Sequence, residues 1–197
     1  MTTAGGHTFD ETLLGDGCII DVGCRGFEFM RYEGFIDKKI YCIDPDEEVF
    51  KAGLCPERVG RDILEMNVAI SDKSGSSGIY LNGEGTCLKE IDPDQSHSFI
   101  PCKTITMEDL YKITGENVDI LKLDCEGAEY IILGETFRPI PKQITVEFHH
   151  HCVPELHKEK YAAIIERLSK DYTMNNAIWE ERHGAGFNYC DVLFIRK

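Results

Sequence analysis

The chain has 197 residues, 42% hydrophobic and 28% charged, the balance of one soluble globular domain whose core needs no disulfide or metal staple. Twenty-one Lys and Arg against 35 Asp and Glu leave a formal charge of −14, which argues against a phosphate-tracking surface and so against a nucleic-acid binder. No apolar run approaches the roughly 20 residues that cross a bilayer, and residues 1–14 lack the basic-then-apolar pattern of a secretory signal, so a cytoplasmic protein without membrane contact is expected.

Residues 1–17 read as a lead segment and 18–197 as a single domain without repeats or linkers. The first apolar run is Cys18-Ile19-Ile20-Asp21-Val22-Gly23, and the second is Ile40-Tyr41-Cys42-Ile43-Asp44. Asn67-Val68-Ala69-Ile70, Ile120-Leu121-Lys122-Leu123-Asp124 and Ile144-Thr145-Val146-Glu147-Phe148 follow. Runs that are nearly continuous, rather than alternating, point to strands covered on both faces, as in a parallel sheet. Between them Thr106 stands in an N-cap position before Met107, Leu110, Tyr111 and Thr114, with Asp109 as its capping-box partner and Gly115 as the stop. A second helical stripe, Tyr161, Ile164, Ile165 and Leu168, falls within 155–170. Strand alternating with helix predicts a doubly wound, Rossmann-like α/β sheet.

Two stretches break that alternation. Ser71 to Gly85 reads as turn, short strand, turn around Ile79-Tyr80-Leu81. Near the carboxyl end, strands over 172–179 and 190–197, joined by the turn-prone His183-Gly184-Ala185-Gly186, predict an antiparallel hairpin. The nine cysteines form no close pair, and an odd count fits reduced, mainly structural thiols.

The chemistry concentrates where the first strand ends. Asp21-Val22-Gly23-Cys24-Arg25-Gly26 forms a glycine turn that should open a helix at Phe27 and present backbone N–H groups to a ligand. Asp44, 21 residues beyond Gly23, closes the second strand, where an acid accepts hydrogen bonds from both ribose hydroxyls of an adenosine. Asp21 occupies the place of the first glycine of a nicotinamide fingerprint. An acid there suits a ligand carrying an ammonium and a sulfonium, which favours S-adenosylmethionine. An NAD(P)-dependent oxidoreductase remains the alternative, as does a non-catalytic domain that keeps the cofactor pocket.

Asp124 ends the fourth strand, and Glu147 and His149 end the fifth on one side of it. They form a candidate catalytic set in which His149 removes a proton and the carboxylates orient the acceptor or hold the cofactor amine. Glu126 and Glu129 read equally well as acids at a helix start. His149-His150-His151-Cys152 cannot all reach one ion while extended, because neighbours on a strand face opposite ways. Asp124, Glu147 and His149 could hold a divalent cation, but solvated loop histidines are the simpler reading, and no metal is expected.

The segments IIDVGCRGFEF (19–29), YCIDPDEEVF (41–50), NVAISDKSG (67–75), DILKLDCEGAEYIIL (119–133) and ITVEFHHH (144–151) resemble the FkbM family of class I S-adenosylmethionine-dependent methyltransferases. The resemblance implies a seven-stranded, mostly parallel sheet with an antiparallel last strand. It also implies that Asp21, Gly23 and Gly26 line the methionine and ribose part of the cofactor, and that Asp44 holds the ribose. Asn67, with Asp72 as its rival, would reach the adenine edge. The implied reaction is methylation of a hydroxyl on a small molecule or glycan. Loops such as 83–101 and 150–155 should carry the acceptor specificity, as surface loops on a rigid scaffold commonly do.

Overall fold

The computed structural model describes residues 1–51, 61–82, 85–88, 98–134, 137–150, 157–181 and 187–197. In chain order these begin with a short hairpin, β1 (Thr2–Ala4) and β2 (His7–Phe9). Strands β3 (Cys18–Val22), β4 (Lys39–Ile43), β5 (Asp62–Met66), β6 (Ala69–Ile70), β7 (Gly75–Asn82), β8 (Gly85–Leu88) and β9 (Ser98–Ile105) follow, with helix α1 (Glu48–Lys51) between β4 and β5. The rest comprises α2 (Met107–Thr114), β10 (Val118–Leu123), α3 (Glu129–Ile132), β11 (Gln143–His149), α4 (His157–Leu168), β12 (Tyr172–Glu181) and β13 (Phe187–Arg196).

Seven of these strands form the central sheet, in the order β12-β13-β11-β10-β3-β4-β5. The pairs from β11 through β5 are parallel. β13 runs antiparallel to both β11 and β12, so the carboxyl-terminal hairpin expected from the sequence is present. Its turn residues, 183–186, lie outside the described residues, as do most of 83–101 and 151–155. The strands are apolar on both faces because each face has its own cover. Ile20, Val22, Tyr41, Ile43, Leu121 and Leu123 pack in a cluster with α2 and α4, while Ile19, Ile40, Cys42 and Ile120 pack with Phe9, Phe27, Phe29 and Phe35 on the other side.

Both predicted helices are found. Thr106 Oγ1 accepts from Asp109 N at 3.1 Å and caps α2, and Gly115 ends it at φ +80°. Two expectations need correction. No α-helix opens at Phe27: Arg25–Phe27, Phe29–Arg31 and Glu33–Phe35 are separate 3-10 turns. Gly26 (φ 77°) and Phe27 (φ 54°) are both left-handed, which breaks helical propagation, and the aromatic rings pin each turn to the core. The third parallel strand is β5 rather than 67–70. Strand β5 sits at the sheet edge and keeps polar, partly exposed residues, so it lacked the apolar signature. The apolar pair Ala69-Ile70 belongs instead to a second sheet, ordered β6-β9-β7-β8, which is larger than the single short strand expected there.

The amino-terminal hairpin packs against β11 and β13. Phe9 is fully buried, worth about 2 kcal/mol of hydrophobic stabilisation. Asp10 N donates to Gln143 Oε1 at 2.7 Å and Gln143 Nε2 returns a hydrogen bond to Asp10 O at 3.0 Å, which clamps the hairpin to the start of β11. Cys18, Cys24, Cys42, Cys102, Cys125 and Cys190 are free thiols. Among the described residues no helix is long and apolar enough to cross a membrane.

At the amino ends of the strands a second tie holds the lead segment. Asp119 is fully buried and takes Lys142 Nζ at 2.6 Å, Lys38 Nζ at 3.0 Å and Gly15 N at 2.9 Å. Burial alone would raise its pKa, but the two ammonium groups and the N–H hold it below the usual carboxylate value. A depressed folded pKa contributes stability that is present above the unfolded value of about 4 and is lost as pH falls below it. Asp119→Ala is expected to lower unfolding free energy in urea by about 3 kcal/mol at pH 7 by leaving two cations without their partner, and the difference from wild type should shrink in acid.

Candidate active site

Parallel registry places a row of polar residues across three otherwise apolar strands. Asp21 of β3 lies beside Lys122 of β10, and Lys122 beside Thr145 of β11. Lys122 is 4% exposed and Asp21 1%. The Lys122 ammonium meets Asp21 Oδ1 at 3.1 Å, Asp124 Oδ2 at 3.4 Å and the Gly23 carbonyl at 2.6 Å. Burial opposes its charge, yet Asp21 and Asp124 hold it firmly protonated; burial would likewise raise Asp124, but Lys122 first, then His7 and His149, keep it well below the ordinary carboxylate range.

Gly23 is dictated by this junction. Its φ is +78°, and a Cβ there would fall 1.6 Å from the Asp124 carbonyl oxygen. Only glycine lets the ends of β3 and β10 close together. Beyond those ends lies a cavity of about 510 Å³, lined by residues that include Gly23, Arg25, Gly26, Asp44, Asp124 and Glu126. In the sheet order Asp44 and Asp124 follow β4 and β10, the neighbours of β3 on either side, so they flank the glycine turn.

Asp44 is 2% exposed. Its Oδ1 accepts from Asp46 N at 2.9 Å, while Oδ2 has no hydrogen-bond partner among the described residues. Burial pushes its pKa up to about 6, with the Asp46 N–H and Arg25 pulling the other way. Arg25 reaches from the turn to Asp46 Oδ2 at 2.7 Å. Of the other expected cofactor residues, Asp21 stands behind the cavity with Lys122 rather than in its lining. Asn67 and Asp72 are exposed and outside the lining: Asn67 Nδ2 donates to the Asp44 carbonyl at 3.1 Å, and Asp72 takes the Ser71 hydroxyl at 3.2 Å.

The expected catalytic residues do converge. His149 Nε2 lies 3.5 Å from Asp124 Oδ1 and 3.9 Å from carboxylate oxygens of both Glu126 and Glu147. Its Nδ1 meets Glu129 Oε1 at 3.0 Å. Burial disfavours a charged ring, but Glu129, Glu126 and Asp124 outweigh it and push His149 up to about 10. At neutral pH this imidazole is therefore a cationic donor, with no lone pair to receive a proton. Glu147 is pushed up to about 7, by burial first and by Asp124, with His149 opposing.

Glu129 does more than start a helix. Fully buried, it accepts from Cys125 N at 2.7 Å and Gly127 N at 2.9 Å as well as from His149. Those bonds hold the turn in which Glu126 takes the left-handed φ of 51° and lines the cavity. His7, in β2, was not anticipated in the sequence. It is 2% exposed, with Nε2 3.5 Å from Asp124 Oδ2 and Nδ1 3.4 Å from Thr145 Oγ1. Lys122 had a visible signal, a lone cation inside an apolar strand. For His7 no local pattern existed.

The model of the methyltransferase FkbM domain matches residues 22–174. Among solved structures the chain is similar to the fibrillarin/Nop5p complex, with a TM-score of 0.54, 12% identity and coverage of 93% of this chain and 74% of that one. It is also similar to an rRNA methylase from Streptococcus thermophilus, with a TM-score of 0.51, 9% identity and coverage of 94% and 90%. A methyltransferase FkbM from Methylobacillus flagellatus aligns with a TM-score of 0.49, 12% identity and coverage of 95% and 44%. At such identities the first two show likeness of fold alone. No match is found among curated proteins. With the matched segment running from the glycine turn through Asp44 and Asp124 to β12, the chain belongs to the FkbM methyltransferase family.

Proposed function

We propose that the methyl donor is S-adenosylmethionine and that the acceptor is a hydroxyl of a small molecule or glycan. The charge of the cavity lining carries the first part. Glu28, Asp44, Asp124 and Glu126 face a single cation among the described lining residues, Arg25, which is already paired with Asp46. Such a lining suits a ligand bearing an ammonium and a sulfonium and disfavours the pyrophosphate of a nicotinamide dinucleotide. The absence of a regular helix after the glycine turn supports the same choice, since the 3-10 turns offer no helix N-terminus for a phosphate.

The residues fit that cofactor. Asp44 Oδ2 is available to ribose hydroxyls, Gly23 and Gly26 leave the backbone open beside it, and Asp124 and Glu126 would face the ammonium and sulfonium. When bound, the cofactor supplies an electrophilic methyl carbon. The chain's own part is to align the acceptor oxygen and manage its proton. Asp124 and Glu147 would receive and orient the hydroxyl. His149, with carboxylates at both ring nitrogens, would act as a fixed cation that keeps Asp124, Glu126 and Glu129 in register. The net charge of −14 supports a neutral small molecule or glycan over a nucleic acid as acceptor.

Calorimetric titration separates the readings: heat with S-adenosylmethionine and none with NAD is expected, and the reverse would sink the proposal. Asp44→Asn is expected to weaken S-adenosylmethionine binding by about 10- to 100-fold, the loss of a charge-assisted hydrogen-bond acceptor. The ionised Asp44 is the form that accepts from both hydroxyls. Wild-type affinity should therefore decline as pH falls below about 6, while the Asn variant stays flat. The same raised pKa means that the folded state disfavours the carboxylate, so Asp44→Asn should raise the unfolding midpoint at pH 7.5.

Glu147→Gln is expected to bind cofactor within about twofold of wild type and to lower kcat by about 100-fold. Release of S-adenosylhomocysteine across a panel of hydroxylated small molecules and sugars gives the readout. Equal turnover in the variant would remove Glu147 from the mechanism.

A further inference from the structure

We infer that the amino-terminal hairpin completes a divalent-cation site, in which His7, Asp124 and Glu147 hold an ion of the Mg²⁺ or Mn²⁺ class beside the cofactor cavity. The three side chains come from β2, the end of β10 and β11, and each offers one donor atom within 4.8 Å of the others. From the sequence no metal was expected, and the donors weighed and set aside were Asp124, Glu147 and His149. The nitrogen donor's place falls to His7, whose ring nitrogen groups with one oxygen each of Asp124 and Glu147 within 4.8 Å, a grouping that His149 does not make among the described residues.

His7 is built as a ligand would be. Its ring is buried edge-on against Phe29, with centroids 5.9 Å apart, on a hairpin clamped by the paired hydrogen bonds between Asp10 and Gln143. Thr145 Oγ1 lies 3.4 Å from Nδ1. With Nδ1–H given to that hydroxyl, Nε2 turns its lone pair toward the carboxylates, the orientation that a second-shell partner imposes on metal-bound histidines. A lone pair facing carboxylates is repulsive unless a proton or a cation stands between them. Glu147 has the complementary deficit: its nearest cationic atom among the described residues is His149 Nε2 at 3.9 Å.

Lys122 does not preclude the ion. Its ammonium lies 3.4 Å from Asp124 Oδ2 but also holds Asp21 at 3.1 Å and the Gly23 carbonyl at 2.6 Å, so it stays partnered when Asp124 turns to a metal. Two carboxylates and one imidazole are a hard, oxygen-rich donor set, which favours Mg²⁺ or Mn²⁺ over thiophilic ions. Three protein donors leave coordination positions open for water and for one further oxygen. Asp124 also lines the cavity, so that oxygen would be the acceptor's, which the ion would orient and polarise. The site stands on the donors alone and does not depend on which cofactor the cavity takes.

The test titrates Mn²⁺ alone into the metal-stripped full chain, with free Mn²⁺ followed by electron paramagnetic resonance and Mg²⁺ added as competitor. Saturable binding of one ion per chain is expected, displaced by Mg²⁺. His7→Gln and Glu147→Gln should each raise Kd by about tenfold or more, and Thr145→Val, which only orients His7, by a few-fold. Urea unfolding curves confirm that each variant is folded, and Glu147→Gln decides the matter if His7→Gln is not. Absence of saturable Mn²⁺ binding, or the same Kd in every folded variant, would overturn the site.

Discussion

Everything at the functional end of this sheet is arranged around a buried ammonium. Lys122 sits in the middle of the central strands, 4% exposed, and its charge is tolerable there only because Asp21 and Asp124 stand at 3.1 and 3.4 Å. An isolated ion at that depth would cost several kcal/mol. The three residues therefore form a unit: the acids keep the ammonium charged, and the ammonium holds Asp124 as a carboxylate. Asp124 thereby faces the cavity as a permanent carboxylate in a fixed direction. The glycine at 23 follows from the same constraint, since the strand ends that carry the two acids approach too closely for any Cβ.

Outward from that unit the site is layered by charge. His149 stands beyond Asp124 and ties it to Glu126, Glu129 and Glu147, while Glu129 holds the turn from which Glu126 projects. Cations and carboxylates alternate, so each side chain is held by neighbours of opposite sign rather than by apolar packing. This gives preorganised charge at the end of a cavity, the condition under which electrostatics contributes most to a reaction. The hairpin extends the pattern by one more residue. Thr145 and Gln143, two apart on β11, are buried polar side chains on one face of the strand. His7 of β2 meets Thr145, and Asp10, the residue after β2, pairs with Gln143, which is how residues ahead of the first sheet strand reach Asp124.

How much of this could be read from the chain depends on the range of the interaction. Strands buried on both faces announce themselves as apolar runs, and α2 announces itself through Thr106 and Gly115, so the mostly parallel sheet and its antiparallel terminal hairpin were legible. Strand β5 was not, because an edge strand keeps polar residues and lacks the run. The turns after Gly26 were not, because two consecutive left-handed residues are a matter of backbone geometry that Gly-Phe does not encode by composition. Asp44, Asp124, Glu147 and His149 were legible as strand-end residues, yet the proton state of His149 was not, since it follows from Glu129 twenty residues away in sequence and 3.0 Å away in space. His7 lay beyond any local pattern: only the three-dimensional path of the chain brings it to Asp124.

The central claim is that the acid-lined cavity between Asp44 and Asp124 is the cofactor site of this FkbM-family chain. A crystal structure with S-adenosylhomocysteine tests it most directly. The account predicts both ribose hydroxyls within hydrogen-bond distance of the Asp44 carboxylate and the sulfur directed toward Asp124 and Glu147. A ribose held by any other acid, or a ligand bound outside that cavity, would contradict it.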